Sequence, residues 1–265
     1  MSMYAAGTIL RVIMMNAKTV KLLCQQLHLP GLQSGFETQS TSASYLDMPF
    51  DDRLVALLQA QLNFQQNNRQ TTLKRQAKLR FPSTYLEQIE QKFYPELKMP
   101  TLRQLAKCDW IRAHQHVLLI GPTGTGKTTL ACAFANEAIQ QQIPVLFFRM
   151  ANLLLQLVAA RNENTLNKLA RKIARAPLLV LDDWGNALMS SEERHLFFEL
   201  IEARDQQGSL MITSQYPVTT WHETFQDATI ADSVLDRIVH KSHQLTLNGE
   251  SIRKQQGLSG GEHDH

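Results

Sequence analysis

A chain of 265 residues, 43% hydrophobic and 19% charged, is long enough for one α/β domain with a sizeable core and a smaller module beside it. Its net charge of +3 conceals an asymmetry: residues 1–114 carry 14 Lys and Arg against 8 Asp and Glu, and the remainder 13 against 16, which suggests a polyanion partner for the front and nucleotide chemistry for the back. Three cysteines, Cys24, Cys108 and Cys132, are odd in number and lack metal-ligand spacing. They exclude a disulfide framework and suit a reducing cytoplasm, while no apolar run approaches a membrane span.

The apolar start, Met1 to Met15, lacks a basic lead and is broken by Arg11, so it makes a poor signal peptide; Met14 and Met15 mark an alternative start. A short amphipathic helix is expected over Lys18 to Leu29, ended by Pro30-Gly31, then a polar loop over Gln33 to Ser44. A longer helix should begin near Asp51, with Leu54, Leu57, Leu58 and Leu62 at helical spacing, and run towards Arg80, because Phe81-Pro82 is a natural stop. Arg69, Lys74, Arg75, Lys78 and Arg80 fall in a window, Arg53 to Leu86, that holds no acid. An unmixed basic face favours duplex phosphates, without interleaved aromatics for base stacking.

From His116 onward, strand-like runs alternate with helix-like ones. The expected strands are Val117 to Ile120, Val145 to Arg149, Leu178 to Asp182, Leu210 to Ser214 and Gln244 to Leu247, with helices starting near Thr128, Ala151, Ser190 and Ala228. Ser190 and Glu193 form a capping box, and Gly208 is placed to end that helix. Such alternation implies a parallel sheet covered on both faces.

The segment Gly121-Pro122-Thr123-Gly124-Thr125-Gly126-Lys127-Thr128 fits G-x-x-x-x-G-K-[ST] between a strand and a helix, with Thr129 in the first helical turn. Backbone amides of such a loop curl around phosphates, the helix N-terminus adds positive potential, and Lys127 reaches the β and γ phosphates of ATP. Thr128 and Asp182 are the expected Mg²⁺ ligands. Asp183, next to Asp182 at the end of an apolar strand, would polarise the attacking water. Ser214 and Gln215 are candidates for sensing the γ-phosphate. Arg237 and Arg253 are candidates for stabilising charge on the transferred phosphoryl group, in cis or across a subunit boundary. Lys168, Arg171, Lys172 and Arg175 recur at i, i+3, i+4 and i+7, on one helix face opposite Leu166, Leu169 and Ile173, and form a second candidate DNA surface. A strand between the loop and the acid pair is the order of hydrolysing P-loop ATPases. A nucleotide kinase stays open as an alternative, although no Arg-rich lid insertion of the kind it would need is found.

The basic front ending Lys78-Leu79-Arg80-Phe81-Pro82, the GPTGTGKT loop, LLVLDDWG, ITSQYPV and GESIRK together resemble the IstB family, ATP-binding helpers of insertion sequences near the bacterial helicase loaders in the AAA+ class. The resemblance spans about residues 45 to 254 and implies an α/β P-loop NTPase with an N-terminal all-helical domain. The chain is expected to divide into an extension with a short helix (1–44), a helical DNA-binding and assembly domain (45–100), an AAA+ ATPase domain (101–254) and a tail (255–265). The resemblance further implies an ATPase that forms a homo-oligomer on double-stranded DNA, remodels it and recruits a cognate transposase. Asp183 stands where many AAA+ proteins have Glu, and about a dozen residues follow Arg253, too few for a separate lid. A helicase loader and a nucleotide-gated architectural DNA-binding protein with little turnover remain the alternatives.

Overall fold

The computed structural model describes residues 17–89, 94 and 97–248. Met14, Met15, the Gly249–Arg253 motif and the tail lie outside them. Chain contacts divide the protein into two compact units, Met1–Thr71 and Thr72–His265.

The first unit is helical: α1 (residues 17–26), α2 (Pro30–Thr41) and the greater part of α3 (Phe50–Ala77). The expected polar loop over Gln33 to Ser44 is therefore a correction, since most of it is α2. Pro30 opens that helix with its φ already set. A Cβ on Gly31 would lie 2.6 Å from Phe64 Cβ and 2.7 Å from the Ala60 carbonyl, so the bare glycine lets α2 approach the α3 backbone. Gln61 Oε1 accepts from the Leu32 amide at 3.0 Å, satisfying an orphan donor of the first turn, and Gln39 Nε2 donates to the Arg53 carbonyl at 2.8 Å. Contacts of this kind leave no apolar stripe to read.

In the second unit, α3 ends at Ala77 rather than near Arg80, because Lys78 adopts a left-handed conformation with φ 53°. After α4 (Met99–Ala106) and α5 (Asp109–Arg112), strands alternate with helices: β1 (His116–Ile120), α6 (Lys127–Gln140), β2 (Val145–Arg149), α7 (Met150–Asn162), α8 (Leu166–Ala174), β3 (Leu178–Trp184), α9 (Ser191–Arg204), β4 (Ser209–Ser214), α10 (Ala228–Val239) and β5 (Ser242–Thr246). The strands form one parallel sheet in the order β2-β3-β4-β1-β5. Alternate residues feed two cores: Val117, Leu119, Val180 and Met211 join α6 on one face, and Leu118, Leu179, Leu181 and Ile212 join α7, α9 and α10 on the other. Ser190 caps α9 as expected, exchanging bonds with Glu193. Gly208 does not end it. The left-handed position is taken by Gln206 (φ 56°), and a Cβ on Gly208 would meet Arg204 Nη2 at 2.7 Å.

The ladder between β3 and β4 is irregular at its C-terminal end. Leu181 pairs with Ile212 and Trp184 with Ser214, so β3 uses three steps where β4 uses two. The inserted residue makes a bulge at Asp182-Asp183, with Asp183 at φ 62°.

Candidate nucleotide site

β1 delivers the chain to the loop 121–128 and α6 receives it. A Cβ on Gly121 would fall 2.1 Å from the Leu247 carbonyl, and Gly126, at φ 82°, is the left-handed residue that starts α6. Lys127 is buried, with Nζ donating to the carbonyls of Gly121 at 2.6 Å and Pro122 at 2.7 Å. Its ammonium thus lies under the loop it is expected to serve. Thr123 Oγ1 donates to Gln215 Oε1 at 2.7 Å, and Gln215 Nε2 donates to Asn186 Oδ1 at 2.7 Å, so Gln215 ties the end of β4 to the phosphate loop.

Asp182 is fully buried. Its Oδ1 accepts from Thr128 Oγ1 at 2.8 Å and from Thr213 Oγ1 at 2.7 Å, whereas Oδ2 has no hydrogen-bond partner and faces Arg80 Nη1 at 3.7 Å. Burial raises the Asp182 carboxyl above the usual carboxylate range; the two threonine bonds and Arg80 pull it the other way, and Asp183 adds to the rise. Asp183 lies beside it but is held by another partner: Arg149, the last residue of β2, donates from Nε at 3.1 Å and Nη2 at 2.7 Å to Asp183 Oδ2. Its amide, released from the ladder by the bulge, donates to Thr213 Oγ1 at 3.0 Å. Thr213 therefore serves both acids.

The two expected metal ligands, Thr128 and Asp182, are brought together, with the phosphate loop and Asp183 around them. Ser214 needs correction as a sensor. It is fully buried, its hydroxyl donating to the Trp184 carbonyl at 2.9 Å and accepting from the Tyr216 amide at 3.0 Å, and the neighbouring Thr213 carries the contact with the acids. Arg237 is not near the loop of its own chain. Its carbonyl accepts from the His116 ring at 3.2 Å at the start of β1, and its Nη2 pairs with Glu202 at 2.5 Å; the length of β1, roughly 13 Å at the usual rise per residue, separates it from Gly121. Arg253 lies outside the described residues.

The basic clusters divide. Arg80 leaves the expected DNA surface for the acid site, and Lys74 Nζ is engaged by Tyr85, whose hydroxyl it meets at 2.7 Å. Arg69, Arg75 and Lys78 remain exposed. On α8, Lys168, Arg171, Lys172 and Arg175 all line an open groove of about 580 Å³, while Ile173 is buried and Leu166 and Leu169 pack on the core behind it. Sequence reasoning missed Thr213, Arg149 and Arg80 as residues of the acid site. No local motif marks them, because each arrives through pairing of distant segments.

Magnesium favours hard oxygen donors. The open Asp182 Oδ2, with the Thr128 hydroxyl bonded to the other oxygen of the same carboxylate, fits that requirement.

A five-stranded parallel sheet with helices, a glycine loop after β1 and acids at the end of β3 define a P-loop NTPase of the AAA+ class. Solved structures agree on the fold: the DnaC helicase loader superposes with a TM-score of 0.50 at 24% identity over 56% of this chain and 86% of that one, and AMPPCP-bound DnaA from Aquifex aeolicus with 0.51 at 16% identity over 67% and 56%. The profile of the IstB-like ATP binding protein family matches residues 22–259, and the chain belongs to that family. The insertion sequence ATP-binding protein y4uH of Sinorhizobium fredii is 35% identical over 91% of this chain and 96% of its own length. The ATP-binding protein of insertion sequence IS1162 from Pseudomonas fluorescens is 36% identical over 78% and 89%. No helix among the described residues is long and apolar enough to cross a membrane.

Proposed function

We propose that the chain is a magnesium-dependent ATPase producing ADP and phosphate, and that bound nucleotide governs its assembly on DNA as a transposition helper. Asp182 carries the reading. A buried carboxylate with one oxygen on the phosphate-loop threonine and the other without a hydrogen bond is costly to keep, and coordination of a divalent cation offsets that cost.

In this reading Lys127 exchanges the Gly121 and Pro122 carbonyls for β and γ phosphate oxygens, while amides of the loop 121–129 surround the phosphates. Thr128 and Asp182 would hold Mg²⁺, which would supply neutralisation of charge on the transferred phosphoryl group. Asp183, released from Arg149, accepts a hydrogen bond from the attacking water. The water oxygen bonds to the γ-phosphorus, the bond to the β–γ bridging oxygen breaks, and the water's protons leave on the phosphate product and on solvent. Thr213 orients both acids, Gln215 responds to the γ-phosphate through Thr123, and Arg237 and Arg253 act from a neighbouring subunit. Lys127→Ala should weaken binding of a fluorescent ATP analogue about 100-fold, the scale of a charge-assisted bond. Asp183→Asn should keep binding within about threefold and slow phosphate release about 100-fold. Equal loss of binding in both variants would contradict these roles.

For the wider role, the segment 45–100 supplies the assembly and DNA-binding region and 101–254 the ATPase, with the α8 groove a second phosphate-binding surface. The support is the unmixed charge lining that groove and the insertion-sequence relatives. Cytoplasmic location and a transposase partner belong to the same reading. Duplex affinity and assembly state should both rise with ATP, and affinity should fall steeply with salt; indifference to ATP would defeat the cycle. Recovery of a replicative helicase in place of a transposase would make the chain a loader, and negligible phosphate release with and without DNA would make it architectural.

A further inference from the structure

We infer that Arg80 is the resident counter-charge at the magnesium position, so that uptake of magnesium with nucleotide must displace its guanidinium from Asp182. The inference rests on the ATPase reading above and names what regulates that same site.

Asp182 Oδ2 is the atom in question, buried and without a hydrogen bond, with Arg80 Nη1 at 3.7 Å. That separation lies beyond hydrogen-bond reach yet within that of an ion pair. The guanidinium does not reach the site by chance of a floppy side chain. Asn136, fully buried in α6, donates from Nδ2 to the carbonyls of Pro82 at 3.2 Å and Thr84 at 2.7 Å, which fastens the segment after Arg80 to the helix that begins with Lys127. Phe81 packs against the core, and the Arg80 guanidinium lies 5.5 Å from its ring centroid. The Arg80 side chain itself is 37% exposed, so it can swing away at the cost of its contact with the Phe81 ring.

A divalent cation taken up at that oxygen would stand beside the guanidinium, and their like charges repel. Arg80 therefore acts as a positioning residue that sets the magnesium requirement, supplying positive charge beside Asp182 Oδ2 until the metal replaces it.

The test is a magnesium titration of the full chain at saturating fluorescent ATP analogue, following analogue fluorescence. Arg80→Ala should lower the half-saturating magnesium roughly three- to tenfold, and Arg80→Lys, which keeps the charge without the fork, should lower it less. A residue with only a structural part would raise the requirement when removed. An unchanged or higher half-saturation in Arg80→Ala, with the wild type still binding, overturns the inference and leaves the ATPase reading intact. A wild type that shows no magnesium-dependent binding overturns both.

Discussion

The two ends of the parallel sheet both bury charged or titratable groups, and they treat them in opposite ways. At the end where the strands begin, Arg204 is 2% exposed and gives its terminal nitrogens to backbone: Nη1 to the carbonyls of Ile173 and Ala176, Nη2 to Ser209 at 2.8 Å. His116 is locked as a neutral ring, its Nδ1 accepting from the Leu210 amide at 3.0 Å and its Nε2 donating to the Arg237 carbonyl at 3.2 Å. At the end where the strands finish, Asp182 keeps one oxygen free of hydrogen bonds and Asp183 is held by a partly exposed arginine. Buried polarity joined to the backbone builds the fold, while buried polarity left open awaits a partner.

Arg204→Ala should break the first half of that contrast most severely. Removing it takes the guanidinium from three carbonyls, those of Ile173, Ala176 and Ser209, and leaves a large buried space, so urea unfolding should show a loss of about 4 kcal/mol. Nucleotide affinity of the folded fraction should not change. A comparable loss of ATP affinity would show that the two ends are not separable.

His116 tests the same end by pH. Burial lowers its pKa from 6.5 to about 4, so between those values the unfolded chain binds a proton that the folded chain refuses. Stability is then full above pH 6.5 and falls as the pH drops towards 4, by about 3 kcal/mol at the limit. His116→Gln should flatten that part of the pH–stability curve measured by denaturant titration. An unaltered slope would assign the acid sensitivity elsewhere.

The smallest effect is expected at the opposite end, from Thr213→Val. Loss of the hydroxyl that bonds Asp182 and the Asp183 amide should slow phosphate release about tenfold while costing roughly 1 kcal/mol of stability. If stability fell steeply and turnover did not, Thr213 would belong to the architecture after all.

What could be read from the sequence follows from what is local. The phosphate loop, the Ser190 cap and the five strands declare themselves through neighbours within a few residues, and their observed bounds differ from expectation by at most two residues. Helix α2 stayed hidden because its Ser, Thr and Gln mimic a loop, and its packing rests on Gly31 and on side-chain bonds to another backbone. Ser214 and Gln215 stand out as polar residues ending β4; only the register against β3 shows that the hydroxyl facing the acids belongs to Thr213. Arg80 looked like one more member of a basic face, because nothing in the spacing records that Asn136 fastens the following residues beside Asp182.

The miscount between β3 and β4 also acts as a ratchet pawl. Sliding β3 one notch along its neighbour would push Asp182 towards the aromatic layer of Phe197, Trp221 and Phe225 and lift Trp184 out of it. The acids are thus kept in step by greasy rings beneath them, and a chain that lost those rings would lose its alignment before it lost a single charge.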